Sequence, residues 1–195
     1  MSLREKIQTQ SIIEITTFLN ALSDTERLQN IRSLTKKDLK RLFELAKDNE
    51  GLQLDYFAEN GALECIHEGK NSLPMFTLFQ KRFCRLEDGR VAGYNHGSTM
   101  HLIGPGYFIA RETKGNSEHE ALGSIVIDYY QTPDSNNGLP TNWPPVKENH
   151  QGLQRLVYYQ MHDFMRKVSD HVSIGTAYQK GKAANQYFIL CKSHP

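Results

Sequence analysis

Residues 161–175, MHDFMRKVSDHVSIG, are the densest polar stretch set beside apolar residues in the chain. His162, Asp163 and Arg166 fall together there. Gathered in a pocket, they could serve an enzyme as acid, base and anchor. The plainer expectation is a hydrogen-bonded network that caps a sheet, since buried polar networks more often hold structure than do chemistry. In QKRFC, Lys81 and Arg82 alternate to opposite faces of a strand. An inward Arg82 could receive a ligand carboxylate as a bidentate fork, whereas an outward one serves solubility. Tyr129 and Tyr130 alternate in the same way, and with Trp143 they could line the mouth of a cavity, although core packing is the default for such rings. Arg82, Tyr107, Tyr129, His162 and Arg166 are the candidate ligand-binding residues.

Other chemistries lack their signatures. Gly104 and Gly106 in HLIGPGYFIA are followed by no third glycine and by a strand pattern, so no helix N-terminus awaits a phosphate. Pro105 removes a backbone donor, and the segment reads as a bend in a curved sheet, with similar kinks at Gly93 and Gly97. From Gly175 to Lys182 the spacing is one residue too long for a nucleotide loop, and Ala183 stands where a hydroxyl is needed. The eight histidines form no H-E-x-x-H and no paired Cys/His set, so neither metal nor cofactor is called for. One histidine inside a barrel would still suffice as an axial ligand to haem. No G-x-S-x-G elbow is present. Cys84 would need a base beside it to act as a nucleophile, and Cys65, Cys84 and Cys191 read as reduced thiols.

Charge is nearly balanced, with 23 Lys and Arg against 22 Asp and Glu, which argues against a nucleic-acid footprint. No apolar run has the length of a membrane span or a signal-peptide core, and a cytoplasmic protein is expected.

The elements that must position these residues divide the chain in two. Residues 1–50 contain no glycine and no proline, which predicts helices. One runs from Ser11 to Ala21, a second starts at the capping box Ser23-x-x-Glu26, and a third starts near Thr35 with Leu39, Leu42, Phe43 and Ala46 on one face. A solvated basic face on the third helix is more ordinary than a partner surface. Residues 51–195 carry short aromatic and β-branched runs broken by turn residues, which predicts an antiparallel sheet closing into a barrel. In PMFTLFQKRFCRL, Phe76, Leu78, Gln80 and Arg82 share one side, and Thr77, Phe79, Lys81 and Phe83 the other. ALGSIVIDYYQT is the best strand, TKGNSEHE and the proline-rich stretch after it are loops, and KGKAAN joins two strands as a hairpin. In LQRLVYYQMHDFMRKV, strand propensity favours a strand to about Asp163 and then a helical turn.

The segment DFMRKVSDHVSIGTAYQKGKAANQYFILCKS resembles the last part of a small lipocalin-like bacterial domain of the kind that follows a Gly-x-Trp-x-Gly module. Asp163, Arg166, Val168, Asp170, Gly175, Tyr187 and Phe188 match its pattern, and Lys81-Arg82-Phe83 resembles a Lys-Arg-Phe on an early strand. The Gly-x-Trp-x-Gly element itself is missing, and the single tryptophan, Trp143, lies in TNWPPV. The resemblance implies a calycin-type barrel.

The expectation is therefore an α+β chain, with helices packing on or capping a lipocalin-like antiparallel barrel. Its expected role is non-catalytic binding of a small lipophilic ligand. The alternatives are an enzyme acting in the same pocket and an interaction module that uses the N-terminal helices.

Overall fold

The computed structural model describes residues 1–193. Four helices open the chain: α1 (Leu3–Thr9), α2 (Ile12–Ala21), α3 (Asp24–Arg32) and α4 (Lys36–Leu45). Each begins at a capping box, Ser2 with Glu5, Ser11 with Glu14, Ser23 with Glu26 and Thr35 with Asp38. In each box the hydroxyl accepts a helix amide and the carboxylate accepts the cap's own amide, so two otherwise unpaired donors are satisfied. The second, third and fourth helices begin where the sequence predicts. The first, only seven residues long, adds a helix before them.

Eight strands follow: β1 (Cys65–Asn71), β2 (Leu78–Arg85), β3 (Val91–His96), β4 (Phe108–Glu112), β5 (Ile125–Asp128), β6 (Met161–Lys167), β7 (Val172–Gln179) and β8 (Lys182–Lys192). Each pairs antiparallel with its neighbour in sequence, and β8 returns to β1, closing an up-and-down barrel. This is the α+β architecture the composition predicts. Closure removes every sheet edge, and alternation sends successive side chains in and out.

Three apolar clusters result. Inside the barrel lie Phe83, Val91, Phe108, Ile125, Ile127, Met165 and Leu190, among others. Strand glycines give the large rings room. Gly93 faces Phe108 across the β3–β4 pair and Gly175 faces Phe188 across β7–β8. A methyl group on either glycine would come within 2.5 Å or less of that ring. Gly93 thus admits a neighbouring ring instead of marking a kink. Phe57, just after a 3₁₀ turn at Leu54–Tyr56, closes one end of the barrel, with its ring centroid 5.0 Å from that of Phe83.

The second cluster joins the helices to the outer face of β7 and β8. Leu39, Leu42 and Phe43 of α4 pack with Val172, Ile174, Ile189 and Cys191. Thr16 donates to the Val168 carbonyl at 2.6 Å and ties α2 to the β6–β7 turn. The third cluster lies outside β3 and β4. There the proline-rich loop folds back so that Leu139 and Trp143 cover Tyr94 and Tyr107. The buried Asn149 amide pins this loop by donating to the carbonyls of Tyr107 and Tyr129 at 2.7 and 2.9 Å.

Several local expectations are corrected. Residues 153–167 run in the reverse order: a short helix α7 (Gln154–Val157) comes first, and β6 begins at Met161. Before the Gly-Pro-Gly bend, Met100–Ile103 form one helical turn, α5, and not a strand end. Ser117–Glu120 form another, α6, inside the loop after β4. The strand in ALGSIVIDYYQT is only four residues long. The β7–β8 reversal is tighter than KGKAAN. It turns on Lys180 and Gly181, both with positive φ, as two-residue hairpins require. Among the described residues no helix is long and apolar enough to cross a membrane.

Candidate functional site in the barrel mouth

The Phe57 end of the barrel is filled by side chains, but the other end is not. A cavity of about 530 Å³ opens there, between the β1–β2 tip, α5, α7 and the β7–β8 turn. Its size suits one small ligand in an eight-stranded barrel. Phe79, Tyr158, Met161 and Phe188 form apolar walls.

A charged group lies at the floor. Lys81 points inward from β2 between Phe79 and Phe83, as alternation requires, and its side chain is 2% exposed. Its ammonium lies 3.1 Å from Asp163 Oδ2 on β6, donates to Asn95 Oδ1 of β3 at 2.8 Å, and donates to the Tyr129 hydroxyl. The Tyr129 oxygen also lies 3.2 Å from Asp163 Oδ2. The rings of Phe108, Tyr129 and Phe188 have centroids 5.1 Å from the ammonium, within cation–π range. Burial pushes the Lys81 pKa below its ordinary value, while the charge and hydrogen bond of Asp163 pull it back. Burial, and then the Asp163 charge, push the Tyr129 phenol well above its ordinary value. The ammonium uses all three of its protons, and the two opposite charges cancel.

The Gly-Pro-Gly bend sets the mouth. Gly104 and Gly106 have φ of 115° and 57°. The Asn95 side-chain amide donates to the Gly106 carbonyl at 3.0 Å, and the Asn95 backbone amide donates to the Pro105 carbonyl at 2.8 Å. A methyl group on Gly106 would lie 2.4 Å from the Tyr158 ring. The bare backbone therefore lets Tyr158 stack on Tyr129, with centroids 5.4 Å apart and planes 12° apart.

Of the candidate residues, the structure brings only Tyr129 into this cavity. Arg82 lies on the outer face, 3.5 Å from Glu64 and bonded through Nε to Gln80. Tyr107 is buried under the proline-rich loop and donates to the Pro144 carbonyl. His162 faces outward and lies 3.2 Å from Asp128. Arg166 stacks over Phe43 at 4.0 Å and donates to carbonyls of Phe43, Ala121 and Leu122, joining α4 to the barrel. Asp163 points inward while His162 and Arg166, one and three positions away, point outward, so these three do not share a pocket. Lys81, Asn95 and Asp163, which form the polar floor, are not among the candidate ligand contacts. The usable signal was period two: Lys81 lies on the Phe79–Phe83 side of its strand.

Cys84 packs on the outer face, where burial pushes its thiol up to about 12, far from a nucleophilic thiolate. Among the described residues no three His, Cys, Asp or Glu side chains are grouped to hold a metal ion. Comparison of the chain with family models, with curated proteins and with solved structures found no match in any of the three.

Proposed function

We propose that this protein binds one small lipophilic molecule, without transforming it, in the mouth of the barrel. The observation that carries this reading is the apolar cavity of about 530 Å³ whose floor is a self-satisfied polar group, Lys81 with Asp163, Asn95 and Tyr129. Aromatic walls favour an apolar body. Because Lys81 is already neutralised by Asp163, a ligand carboxylate would compete with a buried charge of its own sign. An uncharged hydroxyl end avoids that repulsion and can still donate to the Asp163 carboxylate, which accepts at several lone pairs. The eight-strand order and the C-terminal pattern from Asp163 to Phe188 support a place among calycin-type barrels.

Native mass spectrometry with a long-chain alcohol and the carboxylic acid of the same chain tests the reading. The expected result is a one-to-one complex, tighter with the alcohol at neutral pH. Absence of any complex with either compound overturns it.

A further inference from the structure

We infer that the open end of the barrel docks on an anionic phospholipid surface, from which the cavity takes its ligand. Among the described residues, eight of the twelve large exposed apolar side chains gather there. Met75 and Phe76 at the β1–β2 tip are 65% and 60% exposed, Leu102 on α5 is 64%, and Leu156 on α7 is 77%. Leu73 and Leu153 are exposed beside them. Side chains of this kind around a cavity mouth cost hydration in the free protein and mark an interaction surface. Phe76 has a φ of 54°, a left-handed conformation uncommon for an aromatic residue, and its carbonyl accepts from the Asn71 side chain.

Charge indicates which surface fits. The four segments that carry this rim's apolar side chains, residues 71–77, 97–106, 153–160 and 179–184, contain not one Asp or Glu, and the adjoining end of the proline-rich connection adds one charge of each sign, Lys147 and Glu148. They carry Arg155, Lys180 and Lys182, all exposed, which share a groove with Leu156. The turns at the opposite end, residues 86–90, 113–124 and 168–171, hold Glu87, Asp88, Glu118, Glu120 and Asp170 against Arg90 and Lys114. A chain with nearly balanced charge is thus polarised along the barrel axis. Its apolar, basic end would face an anionic membrane and its acidic end would face away. Apolar side chains entering the headgroup region beside a few cations is the pattern of interfacial binding, which spans nothing. In that pose the cavity opens toward the acyl chains.

The purpose of docking rests on the ligand-binding reading, but docking itself is measured without ligand. The experiment is co-sedimentation of the full chain with phosphatidylcholine vesicles, with and without phosphatidylglycerol. Salt-sensitive binding that strengthens with phosphatidylglycerol is expected. Phe76→Asp and Leu156→Asp should each weaken it at least about tenfold, since each removes one inserted apolar side chain. Lys180→Glu with Lys182→Glu should abolish the phosphatidylglycerol preference. Leu63→Asp, at a still more exposed position outside the rim, should change nothing and shows that the loss is local. The inference is overturned by no sedimentation with either vesicle, by equal losses for Leu63→Asp and Leu156→Asp, or by self-association through the rim in place of lipid binding. Vesicle binding with no ligand uptake would remove the ligand reading alone, and ligand uptake with no vesicle binding would remove docking alone.

Discussion

Lys81 Nζ lies 3.1 Å from Asp163 Oδ2, an ion pair that crosses the barrel interior from β2 to β6 at the floor of the mouth cavity. These strands are not neighbours in the sheet, so the pair exists only because the barrel closes. Removing one partner leaves an unpaired charge in a site almost without solvent. Lys81→Met or Asp163→Leu is expected to cost about 3–5 kcal/mol each, and the double variant less than the sum of the two. Urea denaturation of the three variants checks this. Additive losses would mean that the two side chains do not interact.

Alkaline pH tests the buried phenols. Tyr56, Tyr107, Tyr129 and Tyr158 all have pKa values pushed above the ordinary one, by burial first. Above about pH 10 the unfolded chain loses these protons while the native chain keeps them, so stability falls as pH rises. Lys81 acts in the opposite direction. Its native pKa is lowered, so just below about pH 10.4 the unfolded chain holds more protons and stability gains with pH. Four sites outweigh one. The expected outcome is a falling midpoint of unfolding above about pH 10 in a denaturant series.

Much of the architecture can be read from residue types, and the misreadings share a cause. The helices are legible because each start is written locally, as a hydroxyl followed three positions later by a carboxylate. Only Ser23-x-x-Glu26 was needed to see one of them, and Ser2-x-x-Glu5 is the same signal for the short α1. The inward set Phe79, Lys81 and Phe83 follows from period two. Residues 153–167 mislead because Val157, Tyr158 and Tyr159 favour strands, yet a distant contact decides their conformation. Gln154 bonds to the Gly106 amide and Tyr158 fills the space that glycine leaves. Asp163 lies in a stretch that reads as one polar cluster, but alternation splits it. That it faces inward and meets Lys81 depends on strand order and closure, which no short window of residues contains.

The bend at Gly106 offers a sharper local test. Gly106→Ala places a methyl group against the Tyr158 ring at a backbone angle that side chains avoid. Gly138→Ala has a similarly left-handed φ of 81° with open space around it. The first substitution is expected to cost at least about 1 kcal/mol more than the second and to alter ligand affinity as well. Thermal unfolding of both variants, together with a ligand titration of each, checks this.

The helices cover the apolar outer surface of β7 and β8. Deleting residues 1–50 bares Val172, Ile174, Ile189 and Cys191 on the outside of β7 and β8. An aggregating product is expected by size-exclusion chromatography. A monodisperse, folded barrel would show that the helices are dispensable for the fold.

Ligand binding in the mouth cavity is directly measurable. Fluorescence titration of an environment-sensitive lipophilic dye tests it most directly, comparing the natural chain with Ala177→Phe, which puts a ring into the cavity, and His162→Ala, which alters the outer face. The expected result is one saturable site that Ala177→Phe eliminates and His162→Ala leaves intact, with both variants folded. Saturable binding untouched by Ala177→Phe, or no saturable binding by the natural chain, would contradict it.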